Sequence, residues 1–181
     1  DVVVGDGGGS YGSAGSESYN VTLVLDNTCS VKGLAGLLKG AAKNIVDQYA
    51  SQTNNVTFTV MLFGADTSKV TFGAGQFNQV KNFINSLSLT EGTTNVGEMV
   101  KDLQAHLNGL GGDLNTPSHN TDVYVLTDGW HNNSATALKL ANAEAFQSFA
   151  SGNEISVHAV GLGSDINAVS YTHLTLPTKR I

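Results

Sequence analysis

Immediately after a run of strand-forming residues at 21–25, the segment Asp26-Asn27-Thr28-Cys29-Ser30 sets a carboxylate and two hydroxyls at alternate positions. Two further segments carry similar groups. The stretch 91–98, EGTTNVGE, holds Thr94 just before an apolar pattern of helical period, and the stretch 125–129, VLTDG, ends another apolar run on Asp128. Carboxylate and hydroxyl oxygens with no cluster of His or Cys nearby suit a hard cation, and Mg²⁺ in particular prefers octahedral oxygen ligands while keeping several of its waters. Each segment also has a plainer reading. Asp26, Thr28 and Ser30 are residue types favoured at helix N-caps, Thr94 could cap its own helix, and Asp128-Gly129 could simply be a turn.

The elements that would position these groups follow from periodicity. Residues 21–25 form a nearly unbroken apolar run, as a parallel strand buried on both faces requires. Leu34, Leu37, Leu38, Ala41, Ile45 and Tyr49 recur at helical steps. Residues 56–63 read as a second strand, and residues 69–72 as a short edge strand able to pair antiparallel with it. Helices follow at Phe77, Val80, Phe83, Ile84, Leu87 and at Val96, Met99, Val100, Leu103, Leu107, Leu110, the second with His106 on its surface. The composition of 109–120 predicts a loop, 122–128 a fourth strand, 135–149 a helix and 155–163 a fifth strand containing His158. Strands spaced by helices predict an α/β fold, a doubly wound and mainly parallel sheet with helices on both faces. In such sheets ligands bind beyond the carboxyl ends of the strands where strand order reverses, which would bring the three oxygen-bearing segments to one crevice.

Composition narrows the function classes. With 181 residues, 40% of them hydrophobic, the chain has material for one core. A net charge of −6 without a Lys/Arg cluster argues against nucleic acid and against an anionic membrane surface. No apolar run approaches the roughly 18 residues of a membrane span. The lone Cys29 can form neither an internal disulfide nor a zinc cluster, and its place between two oxygen donors reads as packing. Residues 1–18 are Gly/Ser-rich and read as a flexible linker to an upstream neighbour in a larger multidomain chain. Residues 169–181 read as the translation of a transposase adapter used in preparing sequencing libraries, which leaves 19–168 as the folded domain.

Taken together, Asp26-x-Thr28-x-Ser30, Thr94 in GTTNVG and Asp128 in VLTDG resemble the metal-ion-dependent adhesion site of the von Willebrand factor type A family, whose first motif is usually D-x-S-x-S. The resemblance covers about residues 19–165. It implies a Rossmann-like fold, no catalytic activity as a rule, and a Mg²⁺ or Mn²⁺ whose open coordination position takes a carboxylate from a protein partner. By that resemblance Thr28, Ser30 and Thr94 would supply hydroxyl ligands, while Asp26 and Asp128 would bind directly or through waters. Trp130 and His131 would stand at the rim as possible partner contacts. Thr28 replaces the usual Ser but keeps the hydroxyl, Cys29 stands where a small residue is usual, and the family's last strand and C-terminal helix have no counterpart before 169. The Gly/Ser linker and acidic balance resemble modules embedded in large secreted bacterial adhesins with calcium-binding repeats, which implies an extracellular or cell-surface location. A rival enzyme of the haloacid dehalogenase type would need a second aspartate where Thr28 stands, and the GLGSDI stretch lacks the third glycine of a dinucleotide fingerprint.

Overall fold

The β1 strand, Ser18–Asp26, lies at the centre of the sheet, and its alternate residues feed two cores. Val21, Leu23 and Leu25 are buried in one apolar cluster, and Val24 points into another on the opposite face. A strand sealed on both sides favours apolar side chains until it leaves the sheet, and between Val21 and Leu25 only Thr22 is polar. A computed structural model describes residues 17–89, 95–112, 114–116, 118–128 and 136–163, with backbone alone for 136–143.

After β1 come a 3-10 helix at Cys29–Leu34 and α1 at Ala35–Ala50, then β2 at Val56–Phe63, β3 at Thr67–Phe72 and α2 at Phe77–Ser86. The second half holds α3 at Val96–Gly109, β4 at His119–Thr127, α4 at Thr136–Gly152 and β5 at Ser156–Gly161. Among the described residues the sheet order is β3-β2-β1-β4-β5. β1 runs parallel to both β2 and β4, β4 runs parallel to β5, and β2 pairs antiparallel with the edge strand β3. The α1 and α2 residues Leu38, Ala42, Val46, Val80 and Ile84 cover one face of the sheet. The α3 residues Met99, Val100, Leu103 and Leu107, with Phe146 and Ala150 of α4, cover the other. Each such aliphatic or aromatic side chain removed from water contributes about 1.5–3 kcal/mol, so the two layers together fix the direction of every strand end. The doubly wound, mainly parallel sheet expected from the sequence is the one observed.

Several local expectations change. β4 begins at His119, inside the stretch read as loop, because the ladder to β1 starts with Ser18 opposite His119. The polar side chains there are satisfied across that ladder: the Ser18 hydroxyl lies 2.6 Å from His119 Nδ1 and the Asn20 amide nitrogen 2.9 Å from His119 Nε2. Leu37, placed on the apolar stripe of α1 by its spacing, is instead partly exposed. His106, expected on the surface of α3, is only 7% exposed. It packs beside β3, with Nδ1 3.5 Å from the Lys69 ammonium.

Candidate metal centre

Strand order reverses between β1 and β4, and Asp26 stands at that point. It is the last residue of β1, opposite Phe63 in the β2 ladder, while Leu25 pairs with Leu126 of β4. This register sets Thr127 beside it. The Asn27 amide donates to the Phe63 carbonyl at 2.8 Å and carries the sheet one residue further before the chain turns away.

Asp26 is fully buried, and both carboxylate oxygens accept hydrogen bonds. Oδ1 receives the Thr28 amide at 3.0 Å and the Thr28 hydroxyl at 2.6 Å. Oδ2 receives the Thr127 hydroxyl at 2.6 Å. The Thr28 oxygen lies 3.0 Å from Ser30 Oγ, and burial falls along this row, from Asp26 through Thr28 at 2% exposure to the exposed Ser30. The oxygens thus form a path from the sheet interior to solvent. Burial pushes the Asp26 carboxyl above its ordinary range, the Thr127 and Thr28 hydrogen bonds pull it back, and the charge of Asp128 pushes it up again. A buried carboxylate facing a second carboxylate calls for a positive charge, and the exposed end of this row is where one could enter.

The helix-cap reading fares differently in the two segments. Thr28 precedes the 3-10 helix in an extended conformation, yet its side chain makes no capping bond, being committed to Asp26 and Ser30. In the second segment the cap of α3 is Asn95, whose side chain accepts the Glu98 amide at 3.2 Å. The Asn95 amide donates to the Gly64 carbonyl just past β2, which ties the exit of the 91–98 stretch to the same edge of the sheet as Asp26.

Of the residues singled out by sequence, the structure brings Asp26, Thr28 and Ser30 together and sets half-buried Asp128 directly after β4. Thr94, Trp130 and His131 lie outside the described residues. Cys29, expected to pack, is exposed. Thr127 was not anticipated as part of the group. Its signal was a hydroxyl at the last position of a strand otherwise closed by apolar residues, which acquires meaning only once β4 is known to neighbour β1. Among the described residues no three His, Cys, Asp or Glu side chains converge as a metal-binding group. The donors that the structure does bring together are hydroxyl and carboxylate oxygens, which fit a hard cation and not a soft one.

The sequence profile of the von Willebrand factor type A domain matches residues 20–179. No curated protein matches the chain by sequence. Among solved structures, the manganese-loaded TRAP protein of Plasmodium vivax superposes with a TM-score of 0.65 at 18% identity, over 87% of this chain and 62% of that one. Proximal thread matrix protein 1 from the mussel byssus, in a structure with a zinc occupied MIDAS motif, gives 0.64 at 18%, over 88% and 39%. The pilus adhesin SpaC of Lactobacillus rhamnosus GG in its open conformation gives 0.57 at 18%, over 79% and 24%. The chain spans less than two thirds of each of these proteins, and at such identities the likeness speaks for the fold. With the profile matched over most of its length and the sheet in agreement, the chain belongs to the von Willebrand factor type A domain family.

Proposed function

We propose that this domain is a divalent-cation-dependent protein-binding module of the adhesion type. The observation that carries the reading is the row of oxygens from buried Asp26 through Thr28 to exposed Ser30 at the reversal of strand order. Thr28, Ser30 and Thr94 would hold Mg²⁺ or Mn²⁺ through their hydroxyls, with Asp26 and Asp128 binding directly or through water. When bound, the cation supplies an open coordination position for the carboxylate of an acidic residue on a protein partner. The chain's own contribution is orientation. Asp26 accepts three hydrogen bonds that hold its carboxylate and the Thr28 hydroxyl in place, and the two helical layers fix the strand end that carries them. Trp130 and His131, next in sequence after Asp128, would line the rim against that partner.

The solved structures support the cation and the adhesive role by what their descriptions state, manganese in one, zinc in another and a pilus adhesin in the third. Domains of this family are in general interaction modules and not enzymes. The hydrogen bonds on both oxygens of Asp26 also argue against a phosphate-attacking nucleophile, as does the hydroxyl, in place of an acid, two residues on. We place the domain in a larger multidomain chain at the cell surface or outside the cell. Among the described residues no helix is long and apolar enough to cross a membrane. Neither nucleic acid nor membrane insertion enters this reading.

Calorimetric melting tests it. Binding to the folded state alone raises stability by about 2.7 kcal/mol when Mg²⁺ is a hundredfold above its dissociation constant. The melting temperature should rise with Mg²⁺ or Mn²⁺ and return with a chelator, and the response should weaken in Ser30→Ala, where an exposed hydroxyl is removed without loss of packing. Absence of any cation-dependent shift in the wild type sinks the proposal. To separate adhesion from a purely structural cation, carboxylate-bearing peptides captured in Mg²⁺ should be released by chelator while the circular dichroism of the domain is unchanged. Retention of the peptides in chelator would leave only the structural role.

A further inference from the structure

Away from the metal centre, the solvent side of the α1–α2 pair holds an open groove of about 640 Å³. Two stripes at matching helical spacing line it. On α1 they are Gly40, Lys43, Asn44 and Asp47, and on α2 Asn78, Lys81, Asn82 and Asn85. Each stripe follows i, i+3, i+4, i+7, the spacing that puts side chains on one helix face. Core contacts between the two helices lie on their other faces, through Leu38, Ala42, Val80 and Ile84.

The composition of these stripes runs against local preference. Glycine is the poorest helix former after proline, and asparagine stands low in the same ranking. Three asparagines in a ten-residue helix, with a glycine opposite, weaken both helices at the groove. Packing does not require the glycine, since a Cβ on Gly40 would meet no atom within 4 Å. Departures from local consistency of this kind are expected where a surface has a task. The polar groups are also partly uncommitted. Lys81 pairs with Asp47 at 2.7 Å and the Lys43 ammonium donates to Asn85 Oδ1 at 2.9 Å, but the side chains of Asn44, Asn78 and Asn82 form no hydrogen bond among the described residues.

We propose that this groove is a binding site for an acidic saccharide. Each carboxamide offers a donor and an acceptor in one plane, the arrangement that adjacent sugar hydroxyls require, and three of them stand ready. Two ammonium groups against one carboxylate leave a single positive charge at Lys43, which suits the carboxylate of a uronic or sialic acid unit. The volume lies within the usual range of small-ligand sites. Among the described residues no apolar or aromatic side chain lines the groove, which disfavours a lipid tail, a nucleobase or an aromatic peptide anchor.

The test is a side-chain amide NMR titration of the full chain in chelator, so that it is independent of the metal centre. The probes are trigalacturonate, a hyaluronan tetrasaccharide and 3′-sialyllactose, with lactose as the neutral control. At least one acidic probe should shift the Asn44, Asn78 and Asn82 amides with a dissociation constant of about 1 mM or tighter, and lactose should bind at least tenfold more weakly. The double variant Asn78→Ala/Asn82→Ala should lose that binding at least tenfold while its melting temperature rises by a few degrees, because alanine favours the helix and neither position is in the core. No shift with any acidic probe, equal binding of lactose, or binding that survives the double substitution overturns the proposal.

Discussion

Asp26 combines full burial with three hydrogen bonds donated by Thr28 and Thr127, and that combination constrains what can replace it. Removing the carboxylate relieves the cost of a buried charge but takes from the buried Thr28 and Thr127 hydroxyls the acceptor they share, and a typical hydrogen bond contributes about 0.5–1.5 kcal/mol. Ser30, exposed at the other end of the row, is therefore the cleaner probe of the cation. His106 is the residue at which pH should act on the fold. Its Nε2 is buried without a hydrogen-bond partner among the described residues, and its Nδ1 faces the Lys69 ammonium. The nearest carboxylate on α3, Asp102, is already engaged by the Thr67 hydroxyl. Burial first, and the Lys69 charge second, hold the His106 imidazole below its ordinary value. A base whose folded-state value is lowered binds its proton better when unfolded, so stability is complete above about pH 6.5 and declines as pH falls below it. His158 is lowered by burial too, with Asp122 opposing, and adds a decline of the same sign. Urea unfolding between pH 7.5 and 5, values chosen to bracket that ordinary value, should accordingly show a shallower loss in His106→Leu than in the wild type. Equal slopes in the two proteins would remove His106 from the account.

Elements were legible wherever burial was one-sided or complete. The nearly unbroken apolar run of β1 and the helical steps of α2 and α3 identify those elements because a single physical demand, covering an apolar face, dictates both residue type and period. The start of β4 was hidden for the opposite reason. His119, Asn120 and Thr121 are polar, and what makes them strand is a ladder to Ser18, Tyr19 and Asn20 a hundred residues away. His106 was misplaced because helical period gives the face but not the partner, and the partner here is the edge strand β3. Asn95 illustrates what an element end contributes to the site. Its side chain caps α3 and its amide holds the Gly64 carbonyl, so the segment containing Thr94 leaves from a fixed point. Asn95→Ala should cost about 1 kcal/mol of stability in denaturant unfolding. It should also reduce the melting shift produced by Mg²⁺, and full retention of that shift would show that the cap has no part in the cation site.

At the scale of the whole molecule, the described oxygen donors Asp26, Thr28, Ser30, Thr127 and Asp128 collect at one edge because the chain starts its sheet in the middle and builds outward twice, once through β2 and β3 and once through β4 and β5. The α1 residues after β1 pack on one face of the sheet and the α4 residues after β4 on the other, an arrangement that in such sheets opens a ligand crevice beyond the strand ends. That architecture followed from the alternation of strands and helices, and the extent of the domain is a separate matter. The family profile runs to residue 179, across most of the segment 169–181 that reads as a translated adapter. A last strand or helix that packs on the sheet would bury apolar surface worth several kcal/mol, so its loss would be plain in a melt. We propose that 169–181 makes no such contribution, because a translated adapter carries no pattern selected to cover the β5 side of the sheet. Deleting those residues should leave the melting temperature unchanged, with and without Mg²⁺. A drop of several degrees would assign the segment to the domain and extend the fold to the end of the family match.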